Sequence, residues 1–491
     1  MKKSALATAV LALAVGAFAA TPKYVFLFIG DGMSVPQRMT AEEFSRKTGG
    51  GPLAMNAMPF SAMTRTCSAT ALVTDSAAAA TAIACGVKTY NGAIGVGLDK
   101  KPVASCAEMA KKAGRKVGIV TTTTITHATP AGFYAHRANR GDTYGIALDL
   151  ADSGFDFFAG GGLAVKSKTA AGHAQYASCG KADDYIRSRG YRIVRSMGEL
   201  MSLKPGDGKI LAMLADDRLA YAIDSNAQNP THPETISKTM EPREGFDRAA
   251  RPMLADMVSK AIEMLDGDAG FFMMVEGGCI DWACHANDAA TNLRDILAMD
   301  SAVKVACAFR EKHPDDTLIV VTGDHETGGM SMGFAGTGYA IYTERLTNQV
   351  MSVNTFANKV TRMFMRNPDL KFDDVKPLIR EAFGLKFEGS AKKDPMVLTK
   401  DETADIKKAF DHDVVFHKAK VEENTKYDGE KRYLLGGACR LVLSHKCGIG
   451  WSSGAHTAMP TLTTAIGCGA EGFTGFMENS DIAGIIKGFY E

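Results

Sequence analysis

Tyr24-Val25-Phe26-Leu27-Phe28-Ile29 runs straight into Gly30-Asp31-Gly32. Six apolar residues with no polar alternation suit a strand buried on both faces. The run stops in a glycine turn that carries an acid. The same pattern recurs three times. Lys116–Val120 leads into a threonine row and then His127. Phe271–Val275 leads into Glu276-Gly277-Gly278, and Leu318–Val321 into Thr322-Gly323-Asp324-His325. Helical periodicity fills the intervals. Pro252–Leu265 has Pro at a plausible first helical position and Leu254, Met257, Val258, Ala261, Ile262 and Leu265 on one face. Ala290–Arg310 repeats the pattern with Leu293, Ile296, Leu297 and Val303. The alternation predicts an α/β fold: a central, mostly parallel sheet covered by helices on both faces. Chemistry in such sheets gathers beyond the carboxyl ends of the strands. The acids and imidazoles stand there.

The chain has 491 residues, 46% hydrophobic and 23% charged, with 50 glycines. That composition excludes disordered, collagenous and disulfide-stapled classes. Lys+Arg (56) nearly cancel Asp+Glu (55), so no basic footprint for a nucleic-acid partner exists. Lys2 and Lys3, the apolar run Ser4–Phe18 and Ala17-Phe18-Ala19 read as a secretory signal peptide over 1–19. Export, most simply to the periplasm, follows. No later stretch reaches membrane-spanning length, and the chain ends Lys487-Gly488-Phe489-Tyr490-Glu491, so no membrane anchor is expected. Ten cysteines show no metal-finger spacing; Cys439 and Cys447 flank a loop-like stretch and are candidates to pair after export, whereas Cys85 and Cys307 read as core residues. The catalytic unit is read as 20–491. Within about 331–450 lie helical candidates at Val353–Phe364 and Asp373–Phe383, then a charged, weakly apolar passage at 385–430. That region reads as an insertion or crown-like subdomain.

The candidate chemistry sits at the strand ends. Asp281 and His285 fall one helical turn apart, with Glu276 five residues upstream. Asp324 and His325 are adjacent, and His456 stands in Gly454-Ala455-His456-Thr457. Mixed Asp/His ligation suits Zn²⁺, and additional carboxylate with hydroxyl oxygen suits Mg²⁺. Ser76, in Thr74-Asp75-Ser76, precedes an alanine run and so stands near a helix N-terminus, where amides and the dipole favour a phosphate dianion. It is either a nucleophile or an ordinary capping serine. Arg137 and Arg140 are equally suited to clamp a phosphoryl group.

Together these stretches resemble the metal-dependent alkaline phosphatases. The matching motifs are Ile29-Gly30-Asp31-Gly32-Met33, Thr74-Asp75-Ser76, His127-Ala128-Thr129-Pro130-Ala131-Gly132, Val275-Glu276-Gly277-Gly278 through Asp281 to His285, Thr322-Gly323-Asp324-His325-Glu326, His456, and the closing Gly469–Phe476. The resemblance implies a hydrolase of small phosphate monoesters with Ser76 as the nucleophile that becomes phosphoserine. It implies two Zn²⁺ and one Mg²⁺ per active site. One Zn²⁺ would use Asp281, His285 and His456; the other Asp31, Asp324 and His325; the Mg²⁺ Asp31, Thr129 and Glu276. Arg140, thirteen residues beyond His127, would be the phosphate clamp. Two positions near the site depart from the best-known bacterial members: His127 stands in place of aspartate, and Trp282 in place of lysine or histidine. The long segment between His325 and His456 would cover the cleft or extend a homodimer interface. A sulfatase or phosphodiesterase of the same superfamily is the alternative, although Ser76 lacks the x-Pro-x-Arg that a sulfatase requires.

Overall fold

The computed structural model describes residues 21–165, 179–225, 253–422 and 434–491. The signal-peptide reading and Pro252 lie outside these residues.

Eight strands precede the inserted region: β1 (Tyr24–Gly30), β2 (Phe60–Arg65), β3 (Lys116–Thr121), β4 (Phe157–Gly160), β5 (Tyr191–Val194), β6 (Lys209–Met213), β7 (Phe271–Gly277) and β8 (Thr317–Gly323). Two short strands, β9 (Glu326–Thr327) and β10 (Met330–Met332), lead into it, and β11 (Ile449–Trp451) and β12 (His456–Thr457) lead out. Then come β13 (Thr461–Gly467) and β14 (Gly475–Glu478). Ten of these form one sheet in the order β14-β2-β13-β8-β1-β7-β3-β4-β6-β5. Only β13 runs antiparallel to its neighbours.

β1, β7 and β8 are buried at every position. Their two faces feed separate cores. Phe26, Phe28, Met273, Val275, Ile319 and Val321 pack under the helices Leu254–Leu265 and Ala289–Lys312. Val25, Leu27, Ile29, Phe272, Met274, Leu318 and Val320 pack under Ser76–Cys85, Thr143–Asp152 and Asn479–Gly488. Burial on both sides explains the unbroken apolar runs. Parallel register then lines up the strand ends. Gly30 pairs with Gly277 on one side and Gly323 on the other, while Thr121 of β3 stands opposite Glu276.

Beyond Met330 the chain turns helical, with Val353–Arg366, Phe372–Phe383, Lys400–Glu422 and Leu434–Lys446. The charged 385–430 passage therefore contains a long helix. β10 pairs antiparallel with β11, and β9 with β12, so these helices leave and rejoin the sheet through one two-stranded stem. Phe356, Phe364, Ile379 and Leu435 belong to the same apolar cluster as Phe26 and Ile296.

The expectation for Cys439 and Cys447 is corrected. Cys439 lies inside the helix Leu434–Lys446 and Cys447 directly follows it. Eight residues at helical rise separate them by about 12 Å, beyond disulfide reach. All ten cysteines are free.

Candidate active site

Asp75, in extended backbone, caps the helix Ser76–Cys85 by accepting the Ala78 N–H at 3.0 Å. Ser76 is therefore the first helical residue, not the cap, and its hydroxyl is left for other work. It is 2% exposed, and its Oγ lies 3.2 Å from His325 Nε2.

His325 Nε2 also faces Asp31 Oδ1 at 3.3 Å and Asp324 Oδ2 at 3.2 Å. Burial, then the neighbouring His456, holds His325 well below the ordinary histidine range. A neutral imidazole aimed between two carboxylates is a ligand's arrangement. Burial first, then the charges of Asp324, Asp281 and Glu276, pushes Asp31 well above the ordinary carboxylate range. Burial also raises Asp324, partly offset by the Gly32 N–H it accepts at 3.0 Å.

Asp281 and His285 fall on the short helix Cys279–His285. His285 Nε2 lies 3.3 Å from Asp281 Oδ2 and 3.2 Å from His456 Nε2; His456 Nε2 lies 3.6 Å from Asp281 Oδ1. Each ring donates Nδ1–H to a backbone carbonyl, His285 to Gly454 at 2.8 Å and His456 to Thr74 at 2.9 Å. That fixes the orientation of both rings and turns both Nε2 atoms inward. The hydrogen bond to Asp281 raises His285 to about 8 against the effect of burial. Burial acts to raise Asp281, but the His285 hydrogen bond and the charges of His325, His285 and His456 prevail and hold it low.

The third cluster is Asp31, Glu276 and His127. Thr129 Oγ1 donates to Asp31 Oδ2 at 3.2 Å. Glu276 Oε2 accepts from Thr121 Oγ1, and from Thr123 Oγ1 at 3.0 Å. His127 Nδ1 lies 3.8 Å from Glu276 Oε1, and its ring meets Trp282 edge-on at 5.9 Å between centroids. Arg218 lies 5.1 Å from the Trp282 ring centroid.

Three groups of side chains thus bring their donor atoms within 4.8 Å of one another: Asp281/His285/His456, Asp31/Asp324/His325 and Asp31/His127/Glu276. Whether they fit cations is tested by what they leave unsatisfied. Among the described residues, Asp31 Oδ1, Asp324 Oδ2 and Glu276 Oε1 are buried with no hydrogen-bond partner. Orphaned, converging acceptors cost free energy unless a cation sits among them. The donor set fits divalent metals: two mixed Asp/His triads, and a third group that Thr129 makes richer in oxygen.

The two candidate arginines separate. Arg137 is spent on structure, pairing with Asp149 at 2.5 Å and bonding the Gly145 carbonyl. Arg140 Nη1 reaches Asp75 Oδ2 at 3.0 Å and Nη2 reaches His127 Nε2 at 3.2 Å, beside Ser76.

The alkaline phosphatase sequence profile matches residues 22–491. The chain belongs to the alkaline phosphatase family. It is 32% identical to alkaline phosphatase 3 of Bacillus subtilis over 415 residues, 84% of this chain and 76% of that protein. It is 32% identical to the Escherichia coli alkaline phosphatase over 334 residues, 62% of this chain and 70% of that one. Among solved structures, the cold-active alkaline phosphatase of a Shewanella species superposes with a TM-score of 0.74 at 26% identity, over 95% of this chain and 100% of that one. The Thermus thermophilus alkaline phosphatase gives 0.71 at 26% identity, over 96% and 93%. With the family and the triads together, the protein is an enzyme, a phosphate-ester hydrolase with a metal-assisted mechanism. Among the described residues no helix is long and apolar enough to cross a membrane.

Sequence reasoning missed the hydroxyls that hold the ligands. Thr121 and Thr123 hold Glu276, and Thr327 donates to Asp281 Oδ1 at 2.6 Å while contacting His325 Nδ1 at 3.2 Å. The threonine row after β3 was the visible signal for the first pair.

Proposed function

We propose that this alkaline phosphatase homologue hydrolyses small phosphate monoesters to alcohol and inorganic phosphate through a covalent phosphoserine on Ser76. The observation that carries this reading is Ser76 Oγ itself: first in its helix, buried, and 3.2 Å from His325 in the Asp31/Asp324 triad.

The proposed cofactors are two Zn²⁺, one held by Asp281, His285 and His456 and one by Asp31, Asp324 and His325, and one Mg²⁺ held by Asp31, Thr129 and Glu276 beside His127. When bound, such ions lower the pKa of a serine hydroxyl and neutralise charge on the phosphoryl and leaving oxygens. Ser76 Oγ gives its proton to solvent and attacks phosphorus as the ester P–O bond breaks, and the alkoxide leaves to take a proton from solvent. Water then attacks the phosphoserine and loses a proton, the Oγ–P bond breaks, Oγ is reprotonated, and inorganic phosphate departs. Arg140, braced by Asp75, binds the non-bridging phosphoryl oxygens through its remaining N–H groups. The free amides at the start of the Ser76 helix add partial positive charge. We also infer export to the periplasm, supported by the reading of 1–19.

The test is a monoesterase assay with chelation, Zn²⁺ and Mg²⁺ add-back, and a pre-steady-state burst. Ser76→Ala is expected to abolish the burst and cut turnover by at least about 10³-fold. An unchanged burst amplitude in that variant would sink the assignment.

A further inference from the structure

A strap of chain, Tyr90–Gly95, lies between the Ser76 helix and the segment that ends in Arg140. It is bonded to both. Gly92 N–H donates to Asp75 Oδ1 at 3.0 Å, and Gly95 N–H to Thr81 Oγ1 at 2.9 Å. On the other side Arg140 N–H donates to the Gly92 carbonyl at 2.8 Å, and Ile94 and Arg137 exchange two backbone bonds of 2.8 Å. Tyr90 Oη donates to the Ala138 carbonyl at 3.0 Å. The distance from Arg140 to Ser76 is therefore set through the strap.

One side chain grips its end. His136 Nδ1 lies 2.7 Å from the Gly95 carbonyl and Nε2 lies 2.9 Å from Glu108 Oε1. A carbonyl only accepts, so Nδ1 must carry a proton. Glu108 is a carboxylate: burial acts to raise it, but the His136 hydrogen bond and the Ser105 N–H that Oε2 accepts at 2.7 Å hold it below its ordinary range. Nε2 must then carry a proton too, so His136 is an imidazolium donating at both ends. Gly95, at φ +58°, has no room for a Cβ, which would lie 2.1 Å from the Ala135 carbonyl and 2.8 Å from His136 Nδ1. The charged groups facing His136 are Glu108, from the helix Cys106–Lys112, and Asp149, from Thr143–Asp152. Asp149 Oδ2 accepts the His136 backbone N–H at 3.1 Å and Arg137 Nε at 2.8 Å.

We propose that His136, as a doubly donating imidazolium, is a positioning residue that locks the Tyr90–Gly95 strap and thereby fixes Arg140 against Ser76. The proposal rests on the reading of Arg140 as the phosphate clamp. Deprotonation leaves one ring nitrogen facing a carboxylate without a proton. The lock is then complete at low pH and lost as pH rises through the histidine's pKa, which, although burial opposes it, Glu108 raises above the ordinary value.

The experiment is a double-mutant cycle on the metal-loaded full chain, reading the inhibition constant of inorganic phosphate against p-nitrophenyl phosphate turnover. Arg140→Ala alone must weaken phosphate; if it does not, the clamp reading falls and not the lock. His136→Ala is expected to weaken phosphate about tenfold with Arg140 present and to have no further effect in Arg140→Ala. Equal loss in both backgrounds, or none in either, overturns the proposal. Should His136→Ala fail to fold, Glu108→Gln enters the same cycle. Its amide donates to a neutral imidazole, so contact survives while the charge is lost. Phosphate binding in that variant is expected to lose the part of its fall above pH 6.5, the ordinary histidine value, that the unmodified enzyme shows; an unchanged profile overturns the proposal.

Discussion

Asp295 is a carboxyl that the phosphatase chemistry does not use. It is 7% exposed, and among the described residues it accepts only a long 3.3 Å bond from the Ala222 N–H and its Oδ2 has no partner. Burial raises it to about 8; the Ala222 N–H and Arg218 act against this, and Asp224 and Asp288 reinforce it. Unfolded, it titrates near about 3.9. Between these values the folded chain holds a proton the unfolded chain has lost, so this group's contribution to stability falls as pH rises from about 4 to 8 and levels off above. Asp295→Asn is expected to stabilise the protein by about 1–3 kcal/mol at pH 8.5 and to change it little at pH 4. Urea denaturation at both pH values measures it; an equal effect at both would contradict the assignment. At this scale the sequence was most readable where a residue's job is visible in its type. Asp31, Asp324 and His325 stand out as candidate ligands only when read together at their strand ends. Thr327 does not, because a hydroxyl acquires its role only when the fold brings Asp281 to it at 2.6 Å.

Strand ends set the geometry of the site. Gly323 closes β8 where a Cβ would sit 1.9 Å from the Met33 carbonyl. The turn after β1 and the turn after β8 therefore touch backbone to backbone, which allows Gly32 N–H to reach Asp324. Gly323→Ala forces the two turns apart. It is expected to cost about 1–3 kcal/mol and to reduce divalent-metal retention, read by thermal unfolding and by metal content after dialysis. β1, β3, β7 and β8 were legible from their continuous apolar runs. β2 alternates between buried and exposed positions and β14 is largely exposed, so neither carries the same signal. The helix Lys400–Glu422 was hidden in a charged passage because much of its surface faces solvent. Cys439 and Cys447 looked like the rims of a loop because the glycines between 434 and 450 obscured a helix that packing against Phe356 sustains.

Across the whole molecule, the inserted helices are not a separate body. Phe356, Phe364 and Leu435 share an apolar cluster with Phe26 and Met273 of the sheet. Unfolding the insertion alone would expose that face. Calorimetry of the metal-loaded chain is expected to give one cooperative transition; a resolved early transition would show that the insertion melts independently. The stem formed by β9 with β12 and β10 with β11 has a further consequence. Its foot holds His325 and His456 ring against ring, 3.6 Å between centroids, while its far end hands the chain out and takes it back at one place. Lengthening or shortening the chain beyond that far end leaves the two rings clamped at the foot, provided the helices that share the sheet's apolar cluster are kept.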